Sequence, residues 1–119
     1  MKVLIADDSA LVRKNLRKAL SAIPSVSEVV ESHSLLSTLR QIQIDKPDFV
    51  VLDLQLPDGC GFQVLEHVRL QQDPPRVVVL STCPSEHNRH RCLNLGAERF
   101  LDKSYAFQQL IAILDQAGA

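Results

Sequence analysis

Three largely apolar runs in this chain lead into residues able to do ionic chemistry. Val3-Leu4-Ile5-Ala6 leads into Asp7-Asp8, Phe49-Val50-Val51-Leu52 into Asp53, and Arg99-Phe100-Leu101-Asp102 into Lys103. Brought together, three carboxylates and one ammonium would make a site for a divalent cation and a phosphoryl group. Crowded carboxylates repel one another, and without a counter-charge at least one takes up a proton, so a cation is implied. Oxygen-only ligands suit a hard ion that keeps several waters: Mg²⁺ first, with Mn²⁺ as a substitute. Asp8 and Asp53 are the expected direct ligands, Asp7 acts through water, and the backbone carbonyl of Gln55 completes the shell. A carboxylate in such a setting can attack phosphorus. That makes Asp53 the candidate nucleophile and Lys103 the counter-charge for the oxygens of the transferred group. Ser81, with Thr82 as its competitor, offers a hydroxyl to the same group.

These residues converge only if the three runs are parallel strands of one sheet with their carboxyl ends at a common edge. The apolar pattern supports this, because short continuous runs alternate with helical spacing in the manner of (βα)5. The spacing predicts a strand over Lys2 to Ala6 and then a helix of about 14 residues, with Val12, Leu16, Ala19, Leu20 and Ile23 on one face, closed by Pro24. A weaker strand near Glu28 to Glu31 precedes a helix from Ser34 to Ile44, with Leu35, Leu36, Leu39 and Ile42 facing inward. Phe49 to Leu54 and Arg76 to Ser81 are nearly all apolar, as central parallel strands covered on both faces require. Phe62, Leu65, Val68 and Leu70 line a third helix between them. Ser85 to Leu95 form a fourth helix so poor in apolar residues that weak packing is expected. The last strand is Arg99 to Asp102, and the last helix carries Phe107, Leu110, Ile111 and Leu114. Right-handed crossovers leave few topologies. Strand order 2-1-3-4-5, a doubly wound flavodoxin-like α/β sheet, places Asp7, Asp8 and Asp53 at one switch point.

With 119 residues, the chain has room for one domain, taken as 1–119, and not for a second. The formal net charge of -1 gives no general reason for nucleic-acid binding, so any charged docking surface must be local. Cys60, Cys83 and Cys92 form no C-x-x-C pair, which points away from a disulfide framework and a zinc ribbon. A reduced, cytoplasmic setting is expected, with no membrane contact, no leader and no apolar run long enough to span a bilayer.

Asp7-Asp8, the stretch Asp53-Leu54-Gln55-Leu56-Pro57-Asp58-Gly59-Cys60-Gly61, then Ser81, then Gly96-Ala97 followed by Phe100 and Lys103, together resemble the receiver domain of bacterial two-component response regulators. The resemblance runs from about Lys2 to the last helix. It implies that Asp53 accepts a phosphoryl group from a sensor histidine kinase or histidine phosphotransfer protein. The receiver then catalyses its own phosphorylation and dephosphorylation and is not an enzyme acting on a separate substrate. It also implies a switch in which Ser81 turns toward the phosphoryl group and Phe100 moves inward, reshaping the surface of the fourth helix, last strand and last helix for a downstream protein target. Gln55 and Cys83 fall where the family tunes phosphate lifetime. Phe100 stands where a tyrosine is common, and Ser104 where proline often follows the lysine.

Each residue also has a plainer reading. Asp7-Asp8-Ser9 alone would serve as a helix amino-terminal cap, Lys103 as a solvated lysine and Ser81 as a turn residue. Gly59 and Gly61 read as the turn into the third helix. His87 and His90 read as a solvated face, and Arg13, Lys14, Arg17 and Lys18 as either a solvated stripe or a partner contact. Three other functions compete with the phosphorylation switch. One is the receiver part of a longer DNA-binding transcriptional regulator, and another is a non-phosphorylated protein-binding module. The third, a nucleotide or flavin module, is opposed by Asp7 and Asp8, which would repel a phosphate where a Gly-rich loop should cradle one.

Overall fold

A computed structural model describes residues 1–117. Five strands build one parallel sheet: β1 (Lys2–Ala6), β2 (Glu28–Ser32), β3 (Phe49–Asp53), β6 (Arg76–Ser81) and β7 (Arg99–Asp102). Between β3 and β6 a small antiparallel hairpin is formed by β4 (Gln55–Leu56) and β5 (Gly59–Cys60). The sheet order is β2-β1-β3-β6-β7, which is 2-1-3-4-5 when only the sheet strands are counted. Five helices cover it: α1 (Ala10–Ser21), α2 (Leu35–Asp45), α3 (Gly61–Val68), α4 (Glu86–Asn94) and α5 (Ala106–Ala117).

Successive side chains on a strand point to opposite faces, so a strand buried on both faces feeds two cores. Leu4, Ala6, Val50, Leu52, Val77 and Val79 pack with α2, α3 and α4 residues such as Ile42, Leu65 and Cys92. Val3, Ile5, Phe49, Val51, Val78 and Leu80 pack with Leu16 and Leu20 of α1 and Leu110 and Leu114 of α5. The parallel register aligns Ala6 with Leu52, and Asp53 with Leu80. It brings the residues that follow these strands to the same edge.

The helix ends follow local chemistry. Ser9 caps α1, its side chain accepting from the Val12 N–H. Ser34 and Ser37 form a capping box on α2. That helix ends at Lys46, a left-handed cap at φ 47° whose N–H donates to the Ile42 carbonyl, and the following Pro47 keeps the right-handed helix from continuing. Gly61 opens α3 against the backbone of β3's exit. A Cβ there would stand 3.1 Å from both the Asp53 carbonyl oxygen and the Leu54 Cα.

Several inward assignments need correction. Leu36 is 55% exposed and Leu70 is 85% exposed. Leu70 lies beyond the C-cap of α3 at Arg69, so the helical spacing that placed it inward has already ended. Leu36 lies one residue past Leu35 at the start of α2, and that rotation turns it to solvent while Leu35 packs on the core. Phe107 also stays more than a third exposed, and Ile23 is buried although α1 has ended before it. The third strand stops at Asp53, leaving Leu54 in the turn. As the composition of α4 suggests, it buries only Cys92.

Leu65→Ala is expected to cost about 2–5 kcal/mol in urea unfolding, as a fully buried leucine does. Leu36→Ala and Leu70→Ala should each stay within about 0.5 kcal/mol of the parent. A cost at Leu70 equal to that at Leu65 would contradict the packing described.

Candidate functional site

The site lies where β1, β3 and β7 end. One oxygen from each of Asp7, Asp8 and Asp53 falls in a group whose members all lie within 4.8 Å of one another. Asp7 is 1% exposed and Asp53 6%, whereas Asp8 faces solvent. Lys103 Nζ sits 2.7 Å from Asp7 Oδ2 and 3.3 Å from Asp53 Oδ2, inserting its ammonium between the two buried acids. Its approach to Asp53 has hydrogen-bond geometry. Its closer approach to Asp7 is an ion pair not aligned as a hydrogen bond, so buried Asp7 Oδ2 keeps unused acceptor capacity.

Backbone donors aim the carboxylates. Asp7 Oδ1 accepts from the Ser9 N–H at 2.9 Å and Asp53 Oδ1 from the Gln55 N–H at 3.2 Å, each two residues on. The Asp7 N–H in turn donates to the Ser32 carbonyl at the end of β2. So Asp7 turns into the site, and the capping of α1 falls to Ser9. Ser81 is buried at the end of β6, its Oγ accepting from the Cys83 N–H at 3.0 Å, while Thr82 is exposed. The Ser81 carbonyl takes the Lys103 N–H, fixing the backbone from which the lysine reaches inward.

Burial pushes the Asp53 carboxyl up from its ordinary range. The Gln55 N–H opposes this, the Asp7 charge adds to it, and Lys103 opposes it. Burial works to lower the Lys103 ammonium, but its contact with Asp7 and the charges of Asp53 and Asp7 outweigh that and raise it. Lys103 therefore stays protonated, as a fixed positive charge.

A hard divalent cation fits this donor set. It would find three carboxylates within its reach, two of them buried, one with a free oxygen lone pair, and only one ammonium to balance them. A concavity of about 580 Å³ lies at the opposite edge between Gln43, Pro47, Gln71 and Pro75, and none of the four site residues lines it.

Two contacts were not apparent from the sequence. Arg13, read as part of a stripe, is largely covered: it donates to the Asp7 carbonyl at 2.7 Å and pairs with Glu31 at 3.0 Å. Arg17 joins the same Glu31 at 2.6 Å, while Lys14 and Lys18 face solvent. Asp58 accepts from the Leu35 and Leu36 N–H groups at the start of α2. The Glu31 and Asp58 contacts link segments 14 to 23 residues apart, and no spacing rule reveals them. His87 and His90 are exposed, with His90 Nε2 3.7 Å from Glu86.

Comparison with known proteins matches residues 3–115 to the response regulator receiver domain. The chain belongs to this family. The receiver is 35% identical over 105 residues to the protein-glutamate methylesterase/protein-glutamine glutaminase of Desulfotalea psychrophila, covering 87% of the chain and 29% of that protein. It is 35% identical over 112 residues to the KDP operon transcriptional regulatory protein KdpE of Escherichia coli, covering 94% and 48%. The chain thus spans half or less of the length of these relatives. The signal receiver domain of the putative response regulator NarL from Mycobacterium tuberculosis superposes with a TM-score of 0.84 at 27% identity, covering 98% and 94% of the two chains. A Burkholderia pseudomallei response regulator bearing a phosphorylated aspartic acid and a calcium ion superposes at 0.84 with 23% identity, covering 98% and 68%; at that identity the likeness is one of fold. Among the described residues of the receiver, no helix is long and apolar enough to cross a membrane.

Asp53 also leaves a thermodynamic signature. Its carboxyl binds a proton more tightly in the folded state, so its contribution to stability is full below the ordinary aspartate value of 3.8 and is lost as pH rises through the raised folded value. Asp53→Asn, which keeps the neutral shape, should therefore melt higher than the parent at neutral pH without metal. Added Mg²⁺ should narrow the gap by stabilising the parent. A melting temperature below the parent's across that range would count against this reading.

Proposed function

We propose that this receiver, taken as one domain over 1–119, is a phosphorylation-controlled switch whose phosphoacceptor is Asp53. The observation that carries the reading is the placement of the Lys103 ammonium against both Asp53 and Asp7, at the edge where three acids gather. Asp7, Asp8, Asp53 and the Gln55 backbone carbonyl would hold Mg²⁺, with Mn²⁺ as a substitute, and the carboxylate set supports that choice of hard ion. The bound ion supplies positive charge that offsets the negative oxygens of a transferring phosphoryl group.

The donor is a phosphohistidine on a sensor histidine kinase or histidine phosphotransfer protein. A carboxylate oxygen of Asp53 attacks phosphorus, the new O–P bond forms as the P–N bond breaks, and the electron pair leaves with the imidazole nitrogen, which then takes a proton. Lys103, 3.3 Å from Asp53 Oδ2, follows the charge onto the phosphoryl oxygens. The Ser81 hydroxyl, whose oxygen accepts from Cys83, still has its proton to donate and turns toward the same group. Later, water attacks phosphorus, the Asp53 O–P bond breaks with its electron pair left on the carboxylate, and inorganic phosphate leaves with the water's oxygen. On this reading the chain catalyses its own phosphorylation and dephosphorylation and is not an enzyme toward other substrates.

Phe100 is the second half of the switch. It is 9% exposed, pairs in register with Val79 and packs in the cluster that holds Cys92 and Ala97. A shift of Ser81 at the end of β6 is passed along this ladder to α4, which buries only one residue and so costs little to move. The altered surface binds a downstream protein target in the cytoplasm, with no direct nucleic-acid contact from this domain. The length and name of KdpE support a second reading of the output, in which the receiver serves a longer transcriptional regulator.

Incubation with acetyl phosphate and Mg²⁺ should add one phosphoryl group, read by intact-protein mass spectrometry, and chelation should prevent it. Asp53→Asn should abolish labelling, and Lys103→Ala should slow it by about a hundredfold or more, the size expected when a preorganised electrostatic partner of the transferring group is removed. Undiminished labelling of Asp53→Asn refutes the assignment of the acceptor.

A further inference from the structure

The hairpin that follows the acceptor strand is held from an unexpected side. Helix α2 has no acidic residue in its first turn. Its first three helical N–H groups, which no helix satisfies internally, are nevertheless all taken. Ser34 Oγ accepts from Ser37, and the Asp58 carboxylate accepts from Leu35 at 2.6 Å and from Leu36 at 3.0 Å. The negative end of this clamp therefore comes from a residue 22 or 23 positions further along the chain, at the turn between β4 and β5. It sits where the positive end of the helix dipole favours it.

The turn is also pressed against the helix. A Cβ on Gly59 would stand 2.5 Å from Leu35 Cδ2 and 2.7 Å from Gln63 Oε1, so a larger residue would have to push these two side-chain ends aside. A hairpin of two-residue strands has little stability of its own. This one is kept in place by Asp58, by the Cys60 N–H donating to Gln63 Oε1, and by the Gly61 N–H donating to the Leu54 carbonyl at 2.7 Å. Its first residue is Gln55, which pairs with Cys60 across the hairpin and donates its N–H to Asp53 Oδ1.

We propose that Asp58 is a positioning residue for the metal site: by clamping the hairpin to the amino end of α2, it holds Gln55 where its backbone carbonyl meets the cation. This rests on the metal reading given above. The exposed carboxylate is held below its ordinary range by the Leu36 and Leu35 N–H groups, so the clamp remains charged at neutral pH. The coupling is reciprocal, because a clamp that favours the bound metal must itself be favoured by the metal.

The test is a calorimetric titration with MgCl₂ of the parent, Asp58→Ala, and Asp73→Ala as a charge-matched control at the far edge, all at a salt concentration that screens exposed charges. Asp58→Ala should bind Mg²⁺ about tenfold more weakly, the size of a lost outer support of a metal ligand, with Asp73→Ala unchanged. At saturating Mg²⁺ its acetyl phosphate labelling rate should return to within about twofold of the parent, since only the ligand's position has been disturbed. In the parent, Mg²⁺ should slow hydrogen exchange at the Leu35 and Leu36 amides, a measurement that stands even if the variant does not fold. Parental Mg²⁺ affinity in a folded Asp58→Ala, whatever its melting temperature, overturns the clamp alone. So does Mg²⁺-independent exchange at both amides. A parent that binds no Mg²⁺ overturns the metal reading and this inference with it.

Discussion

Like charges held together out of water are costly, and the structure of this chain is organised around accommodating that cost. Asp7 and Asp53 are both buried at the carboxyl edge of the sheet, within reach of exposed Asp8, and one ammonium, that of Lys103, lies between them. Without Lys103, two buried carboxylates would face each other with only single backbone donors to solvate them. With it, the three carboxylates are only partly offset, and the site keeps an excess of negative charge and an unused lone pair on Asp7 Oδ2. That excess makes a divalent cation a natural partner, and a phosphoryl group, which arrives with negative charge, can be received only if positive charge is already in place.

The fold answers this constraint by delivering each charge from a separate strand. Parallel pairing lines up the ends of β1, β3, β6 and β7 at one edge, and two helical layers close over an apolar sheet, so the site's residues have few directions left to point. Side-chain supports then reach in from further away. Arg13 grips the Asp7 carbonyl and pairs with Glu31 on the edge strand, and Asp58 ties the hairpin after β3 to α2. These bonds tie the loops that carry the acids to the body of the sheet. Loops held in this way can bring like charges within a few ångströms of each other and keep them there.

Flexibility is distributed in the opposite sense. The first turn of α2 is fully satisfied and α3 is packed tightly on the exit of β3, while α4 buries a single cysteine and presents its charged residues to water. Ser81 and Phe100 connect the rigid region to the loose one through adjacent strands. A small change of charge at the edge can therefore move the element that costs least to displace, and leave the sheet unchanged.

The alternation of short apolar runs with helical spacing was enough to read five βα units and the charged residues at their strand ends, because each is set by local periodicity; the strand order came from the crossover rule and from the need to bring those charges to one edge. Burial on both faces makes β3 and β6 visible as unbroken Val and Leu runs, and a charge after such a run stands out. Leu36 is exposed because it lies one helical step off the Leu35, Leu39 and Ile42 stripe, and Leu70 because α3 has ended before it. Arg13 and Asp58 could be placed only by tertiary structure. A basic residue on a helix and an acid in a Pro-Asp-Gly turn look like solvated surface until the chain is folded, because Arg13 meets the Asp7 carbonyl and Glu31 of another strand, and Asp58 meets backbone N–H groups of another helix, partners that no local pattern marks. The residue types determined which chemistry could occur; the distances among them, and the supports that hold those distances, were decided by packing between segments far apart along the chain.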